Sequence, residues 1–242
     1  MNTFMSHCRR VLLIACLSSF VGIGFCANST PRADDLLKNV RQCAMMQDNK
    51  NVAGQLRKQG NKVPFNINLR ENLICFQYQT GGQWQRFDLR FKDKGQEIQV
   101  MKDGALQRLP VSQYAQPIAG TDVTFEDLSM RFLYWSNGSV MPQDGSSEVK
   151  GRDCWVVQVK NPTPNMGQYE WARVWIDKEN GAMWQIDGIA ANGELSKRFI
   201  MDSVMKLKDG TWFFKKMKLE VRDPSNSRKT RSVSYIEMNS PE

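Results

Sequence analysis

Residues 171–217 read WARVWIDKENGAMWQIDGIAANGELSKRFIMDSVMKLKDGTWFFKKM, and the punctuation of this stretch decides the fold. Lys178-Glu179-Asn180-Gly181, Asn192-Gly193 and Asp209-Gly210 are turn sequences, and Asp223-Pro224-Ser225-Asn226 follows just beyond. Asn-Gly and Asp-Gly accept the positive φ of hairpin turns, whose twist matches that of the strands they join. The intervals leave room for strands of about ten residues, longer than the usual five or six. From Asp153 to Met238 the pattern therefore predicts long antiparallel strands in sequence order. A strongly curved meander of this kind has one concave face, which suits holding an apolar guest.

The same span is crowded with Trp155, Trp171, Trp175, Trp184, Trp212, Phe199, Phe213 and Phe214, joined by Met183, Met201, Met205 and Met217. Such residues fill ordinary cores; they also line pockets for apolar ligands of variable shape, because thioethers adapt and rings give area. Alternation predicts one-sided sets at Trp155-Val157-Val159, Phe199-Met201-Met205-Leu207 and Phe213-Met217-Leu219-Val221.

Upstream, Asn51 to Leu109 reads as a second meander of shorter strands. Val63, Phe65, Ile67 and Leu69 share one face against Pro64, Asn66 and Asn68, and Gly81-Gly82, Lys94-Gly95 and Asp103-Gly104 supply turns. Thr30 to Gln47 predicts a helix, with Thr30 as cap, Pro31 in the first position and a stripe of Leu36, Leu37, Val40, Cys43 and Ala44 over the open side of a sheet. Between the meanders, Ile118 to Trp135 predicts a short amphipathic helix. Thr124 and Asp127 form its capping pattern, and Phe125, Leu128, Phe132 and Trp135 its aromatic face. Ser136 to Lys150 reads as an exposed connection.

The first 27 residues predict a cleaved secretory signal: Arg9 and Arg10, an apolar run from Val11 to Phe25, and a small-residue exit. A retained anchor is the alternative, but the run falls short of the ~20 apolar residues a span needs. Lipid attachment is weakly patterned, since Phe25 precedes Cys26 and Ala15-Cys16 leaves almost no apolar region before it. Residues 28–242 then form a single domain. Without Arg9 and Arg10 the 33 basic residues become 31 against 25 acidic, so the net charge falls from +8 to +6.

The only histidine is His7, inside the signal. The exported chain therefore lacks His-based general bases, Ser-His and Cys-His pairs and imidazole metal sites. No Cys-x-x-Cys occurs, and Gly81-Gly82 lacks the context of a phosphate cradle. Glu126 and Asp127 read as helix capping, and Asp187 and Asp202 as surface or edge positions. No catalytic residue, metal or cofactor is expected. Cys43, Cys75 and Cys154 allow one disulfide and a spare thiol, or three buried thiols. The basic clusters Lys215-Lys216-Met217-Lys218 and Arg228-Lys229-Thr230-Arg231 read either as a solvated, edge-protecting face or as a surface for anionic headgroups, and export argues against nucleic acid.

Taken together, several segments resemble the LolA-like family of outer-membrane lipoprotein-sorting proteins. Gly120-Thr121-Asp122-Val123-Thr124-Phe125-Glu126-Asp127-Leu128, shortly before Tyr134-Trp135, is similar to the family's middle motif. Arg173-Val174-Trp175-Ile176-Asp177-Lys178-Glu179-Asn180-Gly181 and Asp209-Gly210-Thr211-Trp212-Phe213-Phe214-Lys215-Lys216-Met217 resemble two of its later strands. The likeness spans Ile118 to Asn239, with Ser136 to Lys150 a departure from it. It implies a mainly β (α+β) fold: a curved antiparallel sheet forming an incomplete β-barrel covered by short helices, with a hydrophobic cavity. The implied function is a periplasmic carrier for acyl chains of lipoproteins or lipids, or a sensor or scaffold with the same fold. Envelope transport or receptor proteins and peripheral membrane contact are the partners it allows. The expected cavity lining is Trp171, Trp175, Phe199, Met201, Phe213 and Met217, and the expected lid Phe132 and Trp135.

Overall fold

The computed structural model describes residues 30–45, 50–70, 72–92, 95–163, 166–206 and 212–239. The expected signal, the Asp209-Gly210 turn and the side chains of Cys43 and Phe213 lie outside these residues. The strands are β1 (Lys50–Lys58), β2 (Asn61–Arg70), β3 (Leu73–Thr80), β4 (Gln83–Lys92), β5 (Gly95–Lys102), β6 (Ala105–Arg108), β7 (Ser139–Val140), β8 (Glu148–Val149), β9 (Arg152–Lys160), β10 (Trp171–Asp177), β11 (Met183–Ile189), β12 (Leu195–Lys206), β13 (Trp212–Asp223) and β14 (Asn226–Met238). Two α-helices accompany them, α1 (Ala33–Met45) and α2 (Phe125–Ser129).

Both expected meanders belong to one antiparallel sheet, ordered β6-β5-β4-β3-β2-β1-β14-β13-β12-β11-β10-β9-β7, with β8 paired to β9. The seam is the pairing of β1 with β14, Leu56 opposite Ile236 and Lys58 opposite Ser234. The sheet does not close: its ends are the four-residue β6 and the two-residue β7, lengths that offer little edge for unwanted pairing. In β2 the expected alternation holds, with Val63, Phe65, Ile67 and Leu69 buried.

The inner face is covered rather than empty. Phe76 stacks on Phe87 at 4.8 Å, and Phe125 meets Phe87 edge-on at 5.1 Å. Leu37 and Val40 of α1 join Phe132, Leu133, Trp135, Val157 and Val159 in the same core. Arg41 of α1 donates to the Leu133 carbonyl and lies 5.2 Å from the Tyr134 ring centre.

Two expectations need correction. The first helix begins at Ala33, so Thr30 and Pro31 precede it. The second is broken: α2 ends after one turn because Met130 takes a left-handed conformation (φ 46°), and a 3-10 turn, Arg131–Tyr134, carries Phe132 onward. The 136–150 segment is mostly exposed, as its polar composition predicts, and only part of it folds back on the sheet. There Val149, Cys154, Val156 and Trp175 form a second small core, with Met141 and Trp184 against it.

Candidate functional site

Two features of the inner face stand out: a polar staple that fixes the cover and an apolar wall that it leaves partly open. The staple grows from the 120–128 motif. Thr124 and Asp127 complete the expected capping box. Asp127 also accepts from the Lys197 ammonium at 2.7 Å, the Tyr169 hydroxyl at 2.5 Å and the Gln168 side chain at 3.0 Å. Lys197 reaches the Asp122 carbonyl at 2.8 Å, while the Asp122 carboxylate takes Lys58 at 2.7 Å and Ser234 at 2.9 Å. One short segment is thereby tied to β1, β12 and β14. Gly188 makes the arrangement fit, because a Cβ there would overlap the Tyr169 ring. Burial, and then the neighbouring Asp127 charge, push the Tyr169 hydroxyl well above its ordinary range.

Glu126 is more than a first-turn acid. It is 0% exposed; one carboxylate oxygen accepts from the Gln168 amide at 2.7 Å, and the other lies 3.6 Å from Arg131 without a hydrogen bond. Burial raises its pKa to about 6, with Asp127 adding to the rise and Gln168 and Arg131 opposing it. Gly167 packs so closely that a Cβ would collide with this carboxylate. Asp187 is likewise buried rather than at the surface, held by Arg198 at 2.7 and 2.6 Å.

The apolar wall lies across β11, β12 and β13. A cavity of about 10 Å³ is lined by Met183, Trp184, Gln185, Ile186, Phe199, Met201 and Met217. Met201 pairs with Met217 and Phe199 with Leu219 across the strands. Phe199, Met201 and Met217 from the expected lining are therefore brought together here. Phe132 and Trp135 sit in the cover, packed into the main core.

The structure places Trp171 and Trp175 on the other face. Ala172, Val174 and Ile176 point inward from β10, so the residues between them must point outward. The Lys160 ammonium lies 5.1 Å over Trp171, and the Trp175 indole donates to the Ser146 carbonyl at 2.8 Å. Met183 and Ile186, absent from the expected lining, share the wall because the register shifts between Trp175 and Ile176, opposite Gln185 and Met183. That bulge defeats simple alternation.

Among the described residues no cluster of His, Cys, Asp and Glu could hold a metal ion, and no helix is long and apolar enough to cross a membrane. Cys75 and Cys154 are free thiols.

Solved structures share this architecture. An outer membrane lipoprotein-sorting protein domain from Vibrio parahaemolyticus superposes with a TM-score of 0.65 at 13% identity, covering 86% of this chain and 92% of that one. A LolA superfamily protein from Nitrosomonas europaea gives 0.63 at 14% identity, with 88% and 95% covered. A DUF1329 family protein from Desulfovibrio piger gives 0.58 at 14%, with 86% and 90% covered. No curated protein matches the sequence. A protein-family model whose description reads "uncharacterized protein" matches residues 102–241, more than half of the chain, which thus belongs to that family and carries the incomplete barrel of the LolA-like fold.

Proposed function

We propose that the chain is an exported, periplasmic binding protein of the lipoprotein-sorting kind, which holds acyl chains of lipoproteins or lipids against the inner wall at Met183, Ile186, Phe199, Met201 and Met217. The carrying observation is the convergence of three methionines and a phenylalanine on one hollow, while the neighbouring inner face is filled by its own aromatic rings. Unbranched thioether chains can repack around a guest of variable length. The fold shared with the lipoprotein-sorting domain from Vibrio parahaemolyticus supports the same reading.

In the described state the hollow has room for about one water molecule, against ~300–1,000 Å³ for ligand-sized pockets. Uptake therefore requires this inner wall to open beyond the described state, its methionines repacking around the guest. Each methylene that then leaves water contributes about 0.8 kcal/mol, so a long acyl chain can offset the lost packing.

The test is uptake of a fluorescent acyl probe by the purified protein, together with organic extraction of lipid retained from cells. Met201→Asp, at a half-buried position, should abolish uptake while leaving the fold intact. Absence of both retained lipid and probe uptake would refute the carrier reading. The small cavity favours a second reading, an envelope sensor or scaffold with a filled interior; its mark is one stable protein partner recovered with no acyl uptake.

A further inference from the structure

Much of the charge on the long strands is paired. Arg198 meets Asp187 at 2.6 Å, Lys218 and Arg222 meet Glu220 at 2.8 and 2.6 Å, and Arg57 and Lys216 meet Glu237 at 2.9 and 3.6 Å. Lys150 meets Asp202 at 2.8 Å. At the ribbon formed by the end of β13 and the start of β14, three exposed cations instead lie within four residues of sequence.

This ribbon outruns both neighbours. Ladder pairing to β12 stops at Lys197 opposite Val221, and pairing to β1 stops at Lys58 opposite Ser234. The two strands continue alone through Arg222 opposite Thr230 to Asp223 opposite Asn226. Arg228, Lys229 and Arg231 are all exposed here. Among the described residues none of the three has a carboxylate within 4.0 Å. The ribbon's one acid, Asp223, is engaged chiefly in its own turn, accepting from the Ser225 amide at 2.8 Å and hydroxyl at 2.7 Å, with Arg231 attracting it at longer range. Glu194, in the turn between β11 and β12 at the same end of the sheet, leaves the balance positive.

We propose that the exposed Arg228–Lys229–Arg231 end of the β13–β14 ribbon is a docking surface for an anionic lipid bilayer. Exposed cations on a projecting ribbon meet a field of headgroups without the desolvation or the groove that a single bound anion would need. Residues 222–231 contain no aromatic side chain, which removes the stacking platforms that single-stranded nucleic acid uses. The ribbon stands apart from the methionine wall, and its docking does not depend on acyl binding.

The test is co-sedimentation of the purified protein with phosphatidylcholine vesicles, with and without phosphatidylglycerol. The wild type should bind only the anionic vesicles, and added salt should release it. Each basic residue near such a surface is worth about fivefold in affinity, so the Arg228→Glu, Lys229→Glu, Arg231→Glu triple variant should bind at least about 100-fold more weakly. A matched control, Arg70→Glu, Arg90→Glu, Lys102→Glu, changes net charge equally at other exposed positions and should retain most binding. Unchanged thermal midpoints in both variants establish that each is folded. Equal losses in the two variants, no preference of the wild type for anionic vesicles, or tighter ribbon-dependent binding to DNA or to an acidic protein would overturn the proposal. Because no acyl probe is read, failure here leaves the carrier reading standing, and the converse holds.

Discussion

Glu126→Gln should stabilise the protein at neutral pH. The wild-type carboxyl is fully buried and titrates at about 6 rather than its ordinary 4.5. The native state thus holds the proton more tightly than the unfolded chain does. Its contribution is complete below the unfolded value and is lost as pH rises through the folded one. Above that window, keeping the ionised form buried costs about 2 kcal/mol, from ~1.4 kcal/mol per unit. Glutamine retains an oxygen to accept from the Gln168 amide but never ionises. Arg131 keeps its bonds to the Asn161 side chain at 3.2 Å and the Met166 carbonyl at 3.3 Å. At about pH 8 the variant should gain up to ~2 kcal/mol, or roughly 4–8 °C in thermal midpoint, and at about pH 4 the two proteins should coincide. Urea and thermal melts across this range read the difference directly. A variant less stable than wild type at high pH would mean that attraction to Arg131 outweighs desolvation, and would refute the reasoning.

Lys197→Met should cost about 3–5 kcal/mol in urea melts, because it strands the Asp127 carboxylate in the interior; a loss below about 1 kcal/mol would count against a tight staple. Gly188→Ala should cost about 1–3 kcal/mol by forcing the Tyr169 ring aside, and the additional change Tyr169→Leu should recover little, since it removes the bond to Asp127. Burial, with Asp177 and Asp153 adding to it, pushes the Cys154 thiol up to about 11, so thiol reagents at neutral pH should modify Cys154 only after unfolding, as mass spectrometry of the labelled peptide would report.

The fold was legible where one face of a strand meets water. In β2, Pro64, Asn66 and Asn68 mark the outside, and the inside follows. In β10 the signal vanishes, because the 136–150 segment buries the outer side around Trp175 while Ala172, Val174 and Ile176 are buried within. A strand covered on both faces has no alternation to read, and its largest rings drew the expectation outward. The seam between β1 and β14 joins residues near opposite ends of the chain, and local patterning carries no record of such pairing. The break at Met130 has no glycine or proline to announce it. The capping box is local, so it could be read; its link to Lys197 and Tyr169 is not.

The two halves of the site imply a direction of opening. At the staple, Asp127 and Lys197 are buried and multiply bonded, and separating them would leave charges without partners in the interior, a cost of several kcal/mol. At the wall the hollow is bounded chiefly by apolar side chains, and Met183 and Met201 are already half-exposed. Parting those contacts exposes hydrocarbon at about 25 cal/mol per Å², a loss that an incoming acyl chain restores contact by contact. An inner face pinned by charge at the staple and lined by hydrocarbon at the wall yields at the wall. On the proposed function, cargo therefore enters between the methionines, and the 120–128 motif stays fixed.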